Sequence, residues 1–221
     1  MLIRSPRLPA ELTPLPDPEL IDGADWSGVE ITGEVGGAMD VAYVELSESR
    51  LANVRLTGRR FEHLRLVDVV VEDCELSGVT LAGASLTRVE FRRCRLSGLV
   101  GSTLKARHVR VADCRADGAT FRMTTWEAAE FRDVDLRDAD FHASNLTGMR
   151  FLGCDLTGAD LSKATMAGAA LHGSTVENIR GADSLCGAVI GSDQVLQVGL
   201  AVLVGLGISV DDDYVTDPVT D

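Results

Sequence analysis

The chain has 221 residues, a formal net charge of −13 at pH 7, and 45% hydrophobic but only 5% aromatic residues. This length is compatible with a single domain. The acidic balance favours basic partners and argues against direct binding to nucleic acid or to anionic membranes.

Residues 1–23 hold five of the six prolines and lack the apolar core of a secretory signal. We expect an extended, partly disordered N-terminal arm, and we favour a solvated tail over a peptide that docks on a partner. Without such a signal, the protein is expected in the cytoplasm with its cysteines reduced. Residues 24–40 begin a repeat pattern that breaks at Glu34-Val35-Gly36-Gly37. They are predicted to cap the following structure or to form an irregular first turn of it, since an open sheet edge invites aggregation.

A period of five residues dominates residues 41–180. Every fifth residue from Val41 to Val176 is apolar, apart from Gly101, which gives 28 repeats without a frame shift. The residue two places earlier is usually small or apolar, and Arg59 is a charged exception. Because five matches neither the period of a helix nor that of a strand, the pattern indicates a repeat architecture.

Gly101 marks a weak place in this frame, because it stands where most repeats carry Leu or Phe. A bulge or kink is one prediction for this position. A small void filled from Leu99 and Leu104 is the other, and both remain open at this stage.

The frame dissolves after Val176, and residues 181–210 are predicted to form a C-terminal capping and dimerisation helix, followed by an acidic tail over 211–221. Ser192 is a suitable N-cap, and Gly207 is a suitable stop. The apolar part of the helix is too short to span a membrane, which needs about 20 residues.

This helix is apolar on more than one face, so it needs burial on two sides. Four residues are expected to cover the end of the repeat region: Leu196, Leu200, Leu203 and Val204. Three others would remain uncovered and meet a second copy of the chain: Val195, Val198 and Val202.

The segments GADLS, DADFH and ASNLT, from Gly158, Asp138 and Ala143 onward, resemble the pentapeptide-repeat family, whose pattern is A(D/N)LXX with a central Leu or Phe. The resemblance covers roughly residues 39–179. It implies an all-β solenoid, a right-handed quadrilateral β-helix of about 7–8 coils with a C-terminal capping α-helix. Four pentapeptides then form one coil, and the coils stack as a rod.

Charge spacing supports a coil of 20 residues. Residues 20 apart would lie about 4.8 Å from each other in adjacent coils. Up to residue 183, opposite charges recur at this spacing 17 times and like charges six times. Examples are Asp68 with Arg88 and Asp160 with Arg180, whereas Asp135 with Asp155 and Asp140 with Asp160 are like-charged exceptions.

The sequence favours a non-enzymatic protein without a cofactor. It contains no phosphate-binding loop, dinucleotide fingerprint, nucleophile elbow or His–Glu metal motif. Paired carboxylates such as Asp135 and Asp138 belong to rod faces, and a filled rod offers no cleft to tune their pKa. No metal site is expected, since Cys74, Cys94, Cys114 and Cys154 all fall in the inward column.

Two functions from different classes remain. The preferred hypothesis is a protein-interaction rod or scaffold, which the pairing of most charges supports. The alternative follows from the ending LGISV (Leu206–Val210), which resembles the tail of bacterial fluoroquinolone-resistance members of the family. Those members dimerise through this end and mimic DNA on the topoisomerase DNA gyrase. The acidic face for such binding would comprise Asp135, Asp138, Asp140, Asp155 and Asp160.

The charge distribution weighs against DNA mimicry. Residues 50–115 contain 13 basic and seven acidic side chains, so the middle of the rod is basic rather than acidic. Direct nucleic-acid binding through this basic middle is the least favoured hypothesis, because most of these arginines have acidic partners at spacing 20 and the overall charge repels phosphate.

Overall fold

The computed structural model describes residues 2–208, which form a rod of stacked coils closed by one helix. Every strand pairing is parallel. The strands are β1 (Thr13–Pro14), β2 (Glu19–Leu20), β3 (Asp25–Ser27), β4 (Val29–Glu34), β5 (Gly36–Gly37), β6 (Asp40–Ala42), β7 (Glu45–Arg55), β8 (Arg60–Glu62), β9 (Arg65–Glu72), β10 (Thr80–Ala82), β11 (Ser85–Arg92), β12 (Lys105–Ala112), β13 (Thr125–Glu127), β14 (Glu130–Arg132) and β15 (Arg150–Leu152). Two short 3-10 helices, Ala182–Leu185 and Ser192–Gln194, precede the helix α1 (Val195–Gly205).

The register between neighbouring coils is 20 residues throughout the repeat region. Leu46 pairs with Leu66, and Leu66 with Leu86. Beyond β15 the same spacing continues as single bridges, including Asp140 with Asp160. The predicted all-β solenoid is therefore confirmed, with about seven turns and a single C-terminal helix.

Four corners per coil arise from a backbone conformation that recurs every five residues. Tyr43, Glu48, Asn53 and Gly58 mark the corners of one coil, and all four have a positive φ. Glycine fills many of the later corners, because it adopts this left-handed region without a steric penalty. Since a coil has 20 residues and a corner every five, its cross-section has four sides.

Thr103 is a strained corner residue, because a β-branched side chain is unfavourable at its φ of 60°. We expect Thr103→Gly to raise the free energy of unfolding by about 0.5–1 kcal/mol. Glycine relieves the backbone strain of about 1–2 kcal/mol at this left-handed position, and this gain exceeds the entropy that glycine loses on folding. The neighbouring Ser102→Gly is the control. Ser102 has no positive φ, so glycine relieves no strain there and only the entropy loss remains. Urea denaturation of both variants measures the difference, and equal destabilisation by both would contradict the strain at Thr103.

The two inward columns form a continuous apolar core. Its C-terminal half contains a cluster of buried phenylalanine rings, in which Phe141 lies 5.3 Å from Phe121 and 5.7 Å from Phe151 between ring centroids. The N-terminal half is less densely filled and encloses an apolar cavity of about 80 Å³ beside residues such as Leu46, Phe61 and Leu66.

Gly101 does not interrupt the ladder. Val100 bridges Thr80 on one side and Thr120 on the other, so the predicted bulge or kink is wrong. The alternative of a filled void is closer to the structure. A Cβ at Gly101 would meet Phe121 at 3.3 Å and Leu99 at 3.4 Å, so these two side chains occupy the space. Leu104 instead helps to line a residual cavity of about 30 Å³.

The N-terminal arm lies on the rod, so the expectation of a solvated tail is wrong. Strand β1 pairs with β4, and β2 pairs with β5. Ile3 is 5% exposed and Leu20 is 2% exposed, so apolar anchors hold both parts of the segment against the rod. The composition of the segment does not predict this packing, because Ile3 and Leu20 are isolated apolar residues among prolines and polar residues.

Residues 24–34 form an irregular first coil, which is one of the two arrangements expected for them. Trp26 pairs with Leu46, and Ile31 with Leu51, in the register of the later coils. That register shifts between Thr32 and Glu34. Strand β1 covers the outer edge of this coil, and β2 pairs with β5 just after it, so both satisfy backbone groups that an open end would leave unpaired.

Candidate interaction surfaces

The C-terminal end of the rod is closed by two glutamine side chains. Gln194 is 2% exposed, and its Nε2 donates hydrogen bonds to the carbonyl oxygens of Leu171 and Ser174. Its Oε1 accepts a hydrogen bond of 2.8 Å from the Gly191 N–H. Gln197 Oε1 accepts a hydrogen bond of 3.2 Å from the Val176 N–H. These amides replace the partners that a further coil would provide.

The positions of these glutamines fix the rotation of α1. Val198 and Val202 are partly buried against the core, so their assignment to an uncovered face is wrong. Leu196, Leu200 and Val204 were expected to cover the rod but are 73%, 46% and 75% exposed. Val195 is exposed as predicted. The hydrogen bonds of Gln194 and Gln197 determine which side of α1 meets the rod, and the pattern of apolar residues alone does not predict this side.

Five exposed apolar residues of α1 and its C-cap lie at the end of the molecule, and we call them the helix stripe: Val195, Leu196, Leu200, Val204 and Leu206. Apolar stripes of this kind on an otherwise polar protein mark interaction sites. Among the described residues, no helix has the length and apolar character needed to cross a membrane.

The five aspartates assigned to an acidic face lie together around one edge of the rod, in its C-terminal half. Asp135 and Asp155 are stacked on one side, and Asp140 and Asp160 are stacked on the next. Asp138 lies at the corner between them with a φ of 57°.

The stacked aspartates have a structural role that the sequence did not reveal. Asp140 Oδ1 accepts a 2.8 Å hydrogen bond from the His142 N–H, and Asp160 Oδ1 accepts one of 2.9 Å from the Ser162 N–H. Asp155 bonds in the same way to Thr157 at 3.0 Å. At these positions, a carboxylate or amide directly before the central residue stabilises the following corner, as Asx turns do. Like-charged stacks therefore need no external partner to explain them.

Arginines neutralise most of this acidic edge. Arg137 donates to Asp135 at 2.7 and 2.8 Å, while Arg122 lies 3.3 Å from Asp140 and Arg180 lies 3.4 Å from Asp160. The hydrogen bond from Arg137 lowers the pKa of the Asp135 carboxyl. Among the described residues, Asp138 forms no ion pair within 4.0 Å. The edge is therefore less acidic than its aspartates alone suggest.

The inter-coil charge ladders are present in part. Eleven of the 17 opposite pairs at spacing 20 lie within 4.0 Å. Other arginines form ion pairs with an acidic residue on the same strand or at a diagonal position in the next coil. Arg92, for example, pairs with Glu90 on its own strand rather than with Glu72. Long side chains reach several acceptors across neighbouring coils, so spacing predicts the register better than the individual pair.

The arm covers one side of the rod, which we call the strap face: the outward positions from Glu30 to Arg150 on strands β4, β7, β9, β11, β12, β14 and β15. The Arg7 N–H donates to Asp68 at 3.0 Å. Arg110 donates to Ser5 Oγ at 2.8 Å and to the Ile3 carbonyl at 3.1 Å. The arm thus holds to the rod by both its backbone and its side chains.

Charges beneath the arm are buried and paired. Burial opposes ionisation of Asp68, but hydrogen bonds from Arg88 and from the Arg7 N–H outweigh it and lower the pKa of this carboxyl. Burial likewise opposes ionisation of Glu90, and Arg92 and Arg110 lower its pKa. Depressed pKa values mean that both carboxylates stabilise the fold at neutral pH, and this contribution is lost as the pH falls through the folded-state values.

The buried cysteines are a packing feature. Cys74, Cys94 and Cys114 stack in the inward column, and all five cysteines are free thiols. The hydrogen bond between the Cys94 and Cys114 thiols, with burial, raises the pKa of Cys94 to about 12. Burial raises the pKa of Cys154 to about 11. Cys94 and Cys154 therefore remain protonated at neutral pH and are poor nucleophiles or metal ligands.

The cavities of the core are small and apolar, whereas the concave regions of the described surface are open and partly polar. The apolar cavities enclosed in the core measure about 80 and 30 Å³ and are lined by hydrophobic side chains. Within residues 2–208, no group of three or more His, Cys, Asp or Glu side chains has the arrangement of a metal site. The larger concave regions are open and lie on the strap face and beside Asp40 and Arg60.

A four-sided, all-parallel solenoid with a five-residue period defines a class of repeat protein, and part of the chain matches a known family of this class. A family model described as a pentapeptide repeat region matches residues 84–161. These matched residues share their frame and register with the coils on either side. No curated protein matches the chain.

Comparison with solved structures finds similarity to two proteins of low sequence identity. A trypsin-treated variant of QnrB1, a plasmid-mediated fluoroquinolone resistance protein, is 16% identical over 88% of this chain and 99% of its own, with a TM-score of 0.48. HetL from the cyanobacterium Nostoc sp. strain PCC 7120 is involved in heterocyst differentiation regulation. It is 16% identical over 77% of this chain and 91% of its own, with a TM-score of 0.28.

Proposed function

We propose that this chain is a non-enzymatic interaction rod that pairs with a second copy through α1 and presents its sides to a protein partner in a reducing cytoplasm. The observation that carries the proposal is the helix stripe, which exposes several large apolar side chains at one end of a rod whose sides are mainly polar. The free thiols agree with a reducing compartment.

A second copy is the occupant that best fits the helix stripe. The stripe contains no charged residue, so electrostatic attraction to a basic or acidic partner is not its means of recognition. A two-fold axis would place each stripe on its equivalent, which makes the interface self-complementary. Burial of leucine and valine side chains in this way contributes about 1.5–3 kcal/mol for each one fully removed from water.

The Leu200→Glu variant tests this pairing. We expect wild-type protein to be dimeric and Leu200→Glu to be monomeric at the same concentration, because a buried charge without a partner opposes association. Thr147→Glu is the matched control, since it adds the same charge on an exposed side of the rod and is expected to leave the dimer intact. Light scattering measures the mass of each protein. A monomeric wild type, or dimers in all three proteins, would contradict the proposal.

The partner surface of the rod is proposed to be its C-terminal acidic edge, with Asp138 as the most available charge. A partner with a basic groove fits the exposed corner between the two aspartate stacks. Salt bridges to Arg122, Arg137 and Arg180 reduce the net charge of the sides, so recognition would depend on the geometry of a few carboxylates rather than on a uniform negative field.

DNA mimicry on DNA gyrase is the second candidate, and the unpaired corner Asp138 is the structural observation in its favour. The arginine pairing of the neighbouring aspartates weighs against it, because a DNA mimic needs an uninterrupted negative surface. Relief of ciprofloxacin inhibition in a gyrase supercoiling assay would support this candidate. Such relief should then disappear when Asp138 and its four neighbours become Asn.

A further inference from the structure

The strap face continues beyond the end of the N-terminal arm as an open pocket of about 520 Å³. Six charged side chains define this arginine pocket: Arg92, Arg110, Arg132, Arg150, Glu90 and Glu130. Ser5, on the arm, forms part of its rim. Four guanidinium groups and two carboxylates give the pocket a net charge of +2.

Each of the two carboxylates contacts two guanidinium groups. Glu90 accepts from Arg110 at 3.0 Å and also pairs with Arg92, and its side chain is only 7% exposed. Glu130 accepts from Arg132 at 3.2 Å and pairs with Arg150, and its side chain is 6% exposed. Each carboxylate is already shared by two guanidinium groups, so two of the four positive charges in the pocket have no negative partner.

Hydrogen-bond donors remain in excess at this site. A guanidinium group carries five N–H donors. Within the described part of the chain, Arg92 donates only to Glu90, and Arg132 only to Glu130. The buried Nε of Arg150 has no acceptor among residues 2–208. The Glu130 Oε2 that Arg150 contacts also lacks a hydrogen bond, so the free N–H groups of Arg92 and Arg132 are the donors that an external acceptor would satisfy.

The floor of the pocket leaves room for such an acceptor. Ala112 lies between Arg92 and Arg132 in the same outward column, one coil from each. Its methyl group leaves a depression where the neighbouring coils carry long side chains. A compact ligand above Ala112 would therefore have a guanidinium group on both sides.

We propose that the arginine pocket binds a phosphate dianion, either as free phosphate or as a phosphate monoester. Two negative charges on one compact group match the net charge of +2, and the planar fork of arginine bonds to phosphate oxygens in pairs. Arg110 links this site to the arm, because the same guanidinium group holds Ser5 and the Ile3 carbonyl.

Isothermal titration of the full chain with inorganic phosphate, in chloride buffer at neutral pH, tests the assignment. We expect saturable binding at one site and a loss of affinity of about tenfold or more in Arg132→Gln, which corresponds to about 1.4 kcal/mol or more. Arg122→Gln is the matched control, because its partner Asp140 lies on another side of the rod. Ala112→Glu should abolish binding without unfolding, since Ala112 points outward and its new carboxylate would lie between two guanidinium groups.

Two further titrations distinguish the source of the phosphate. Comparable affinity for O-phosphoserine assigns the site to phosphate monoesters, whereas binding of inorganic phosphate alone assigns it to the free ion. Succinate is expected to bind more weakly, because its charges are divided between two carboxylates. Absence of saturable phosphate binding at millimolar concentrations, unchanged affinity in both Arg132→Gln and Ala112→Glu, or tighter binding of succinate would overturn the proposal.

Discussion

Replacement of Phe141 by alanine is expected to lower the free energy of unfolding by about 4 kcal/mol. Phe141 is fully buried, and its ring packs against Phe121, Phe131 and Phe151. Removal of the ring leaves a cavity in the most densely packed part of the rod. The stacked coils on both sides are held by parallel ladders, so they cannot collapse into this space without breaking hydrogen bonds.

Phe141→Leu is the control for this prediction. Leucine already occupies the equivalent inward positions Leu136 and Leu146 on the adjacent sides of the coil. We expect a loss of only about 1 kcal/mol, because most of the volume is retained. Urea denaturation followed by circular dichroism measures both variants. A similar loss in both would mean that the ring cluster is not closely packed.

The second large effect is expected at Gln194, where leucine should release α1 from the rod. Gln194→Leu removes the donors to the carbonyl oxygens of Leu171 and Ser174 and the acceptor for the Gly191 N–H. Each buried group left without a partner costs about 1–3 kcal/mol, so we expect a loss of about 3 kcal/mol or more. This loss is local, because each coil of a solenoid contacts mainly its neighbours.

Hydrogen exchange at the amides of the last coil measures this local opening. Protection of the Leu171 and Val176 amides should fall in Gln194→Leu, while protection near Leu66 stays unchanged. Gln197→Leu is the matched control and should have a smaller effect of about 1 kcal/mol, because Gln197 accepts one bond at a partly buried position. Unchanged protection in Gln194→Leu would show that α1 is held by apolar contacts alone.

The regular part of the fold could be predicted from the sequence because its period is uninterrupted. The inward columns from Val41 to Val176 follow from spacing alone, and pairs such as Asp68 with Arg88 establish the 20-residue register that the structure shows. The same geometry recurs in every coil, so the local sequence pattern and the overall fold favour the same structure.

The two ends of the rod could not be predicted in this way, because a repeat pattern carries no information about how it stops. At the C-terminal end, the rotation of α1 depends on two polar side chains that bond to backbone groups. Gln197, which is the one hydrogen-bonding side chain of α1, and Gln194, which directly precedes the helix, were the signal available in the sequence. At the N-terminal end, Ile3 and Leu20 anchor a segment whose prolines suggested a free tail.

The candidate sites show a similar division. Sequence analysis located the acidic residues of the C-terminal half, but their hydrogen bonds to corner N–H groups emerge only from the structure. Asp140 and Asp160 belong to the turns as much as to the surface. The arginine pocket combines residues from four successive coils with the arm, and its composition could not be inferred without the path of residues 2–12.

Small-angle X-ray scattering of the full chain tests the central claim, that two rods join end to end through α1. One rod of about seven turns is about 34 Å long. We predict a mass of two chains of 23.6 kDa and a maximum dimension close to twice that of the monomeric Leu200→Glu variant. A monomeric mass, or a dimer no longer than a single rod, would contradict pairing through the helix stripe.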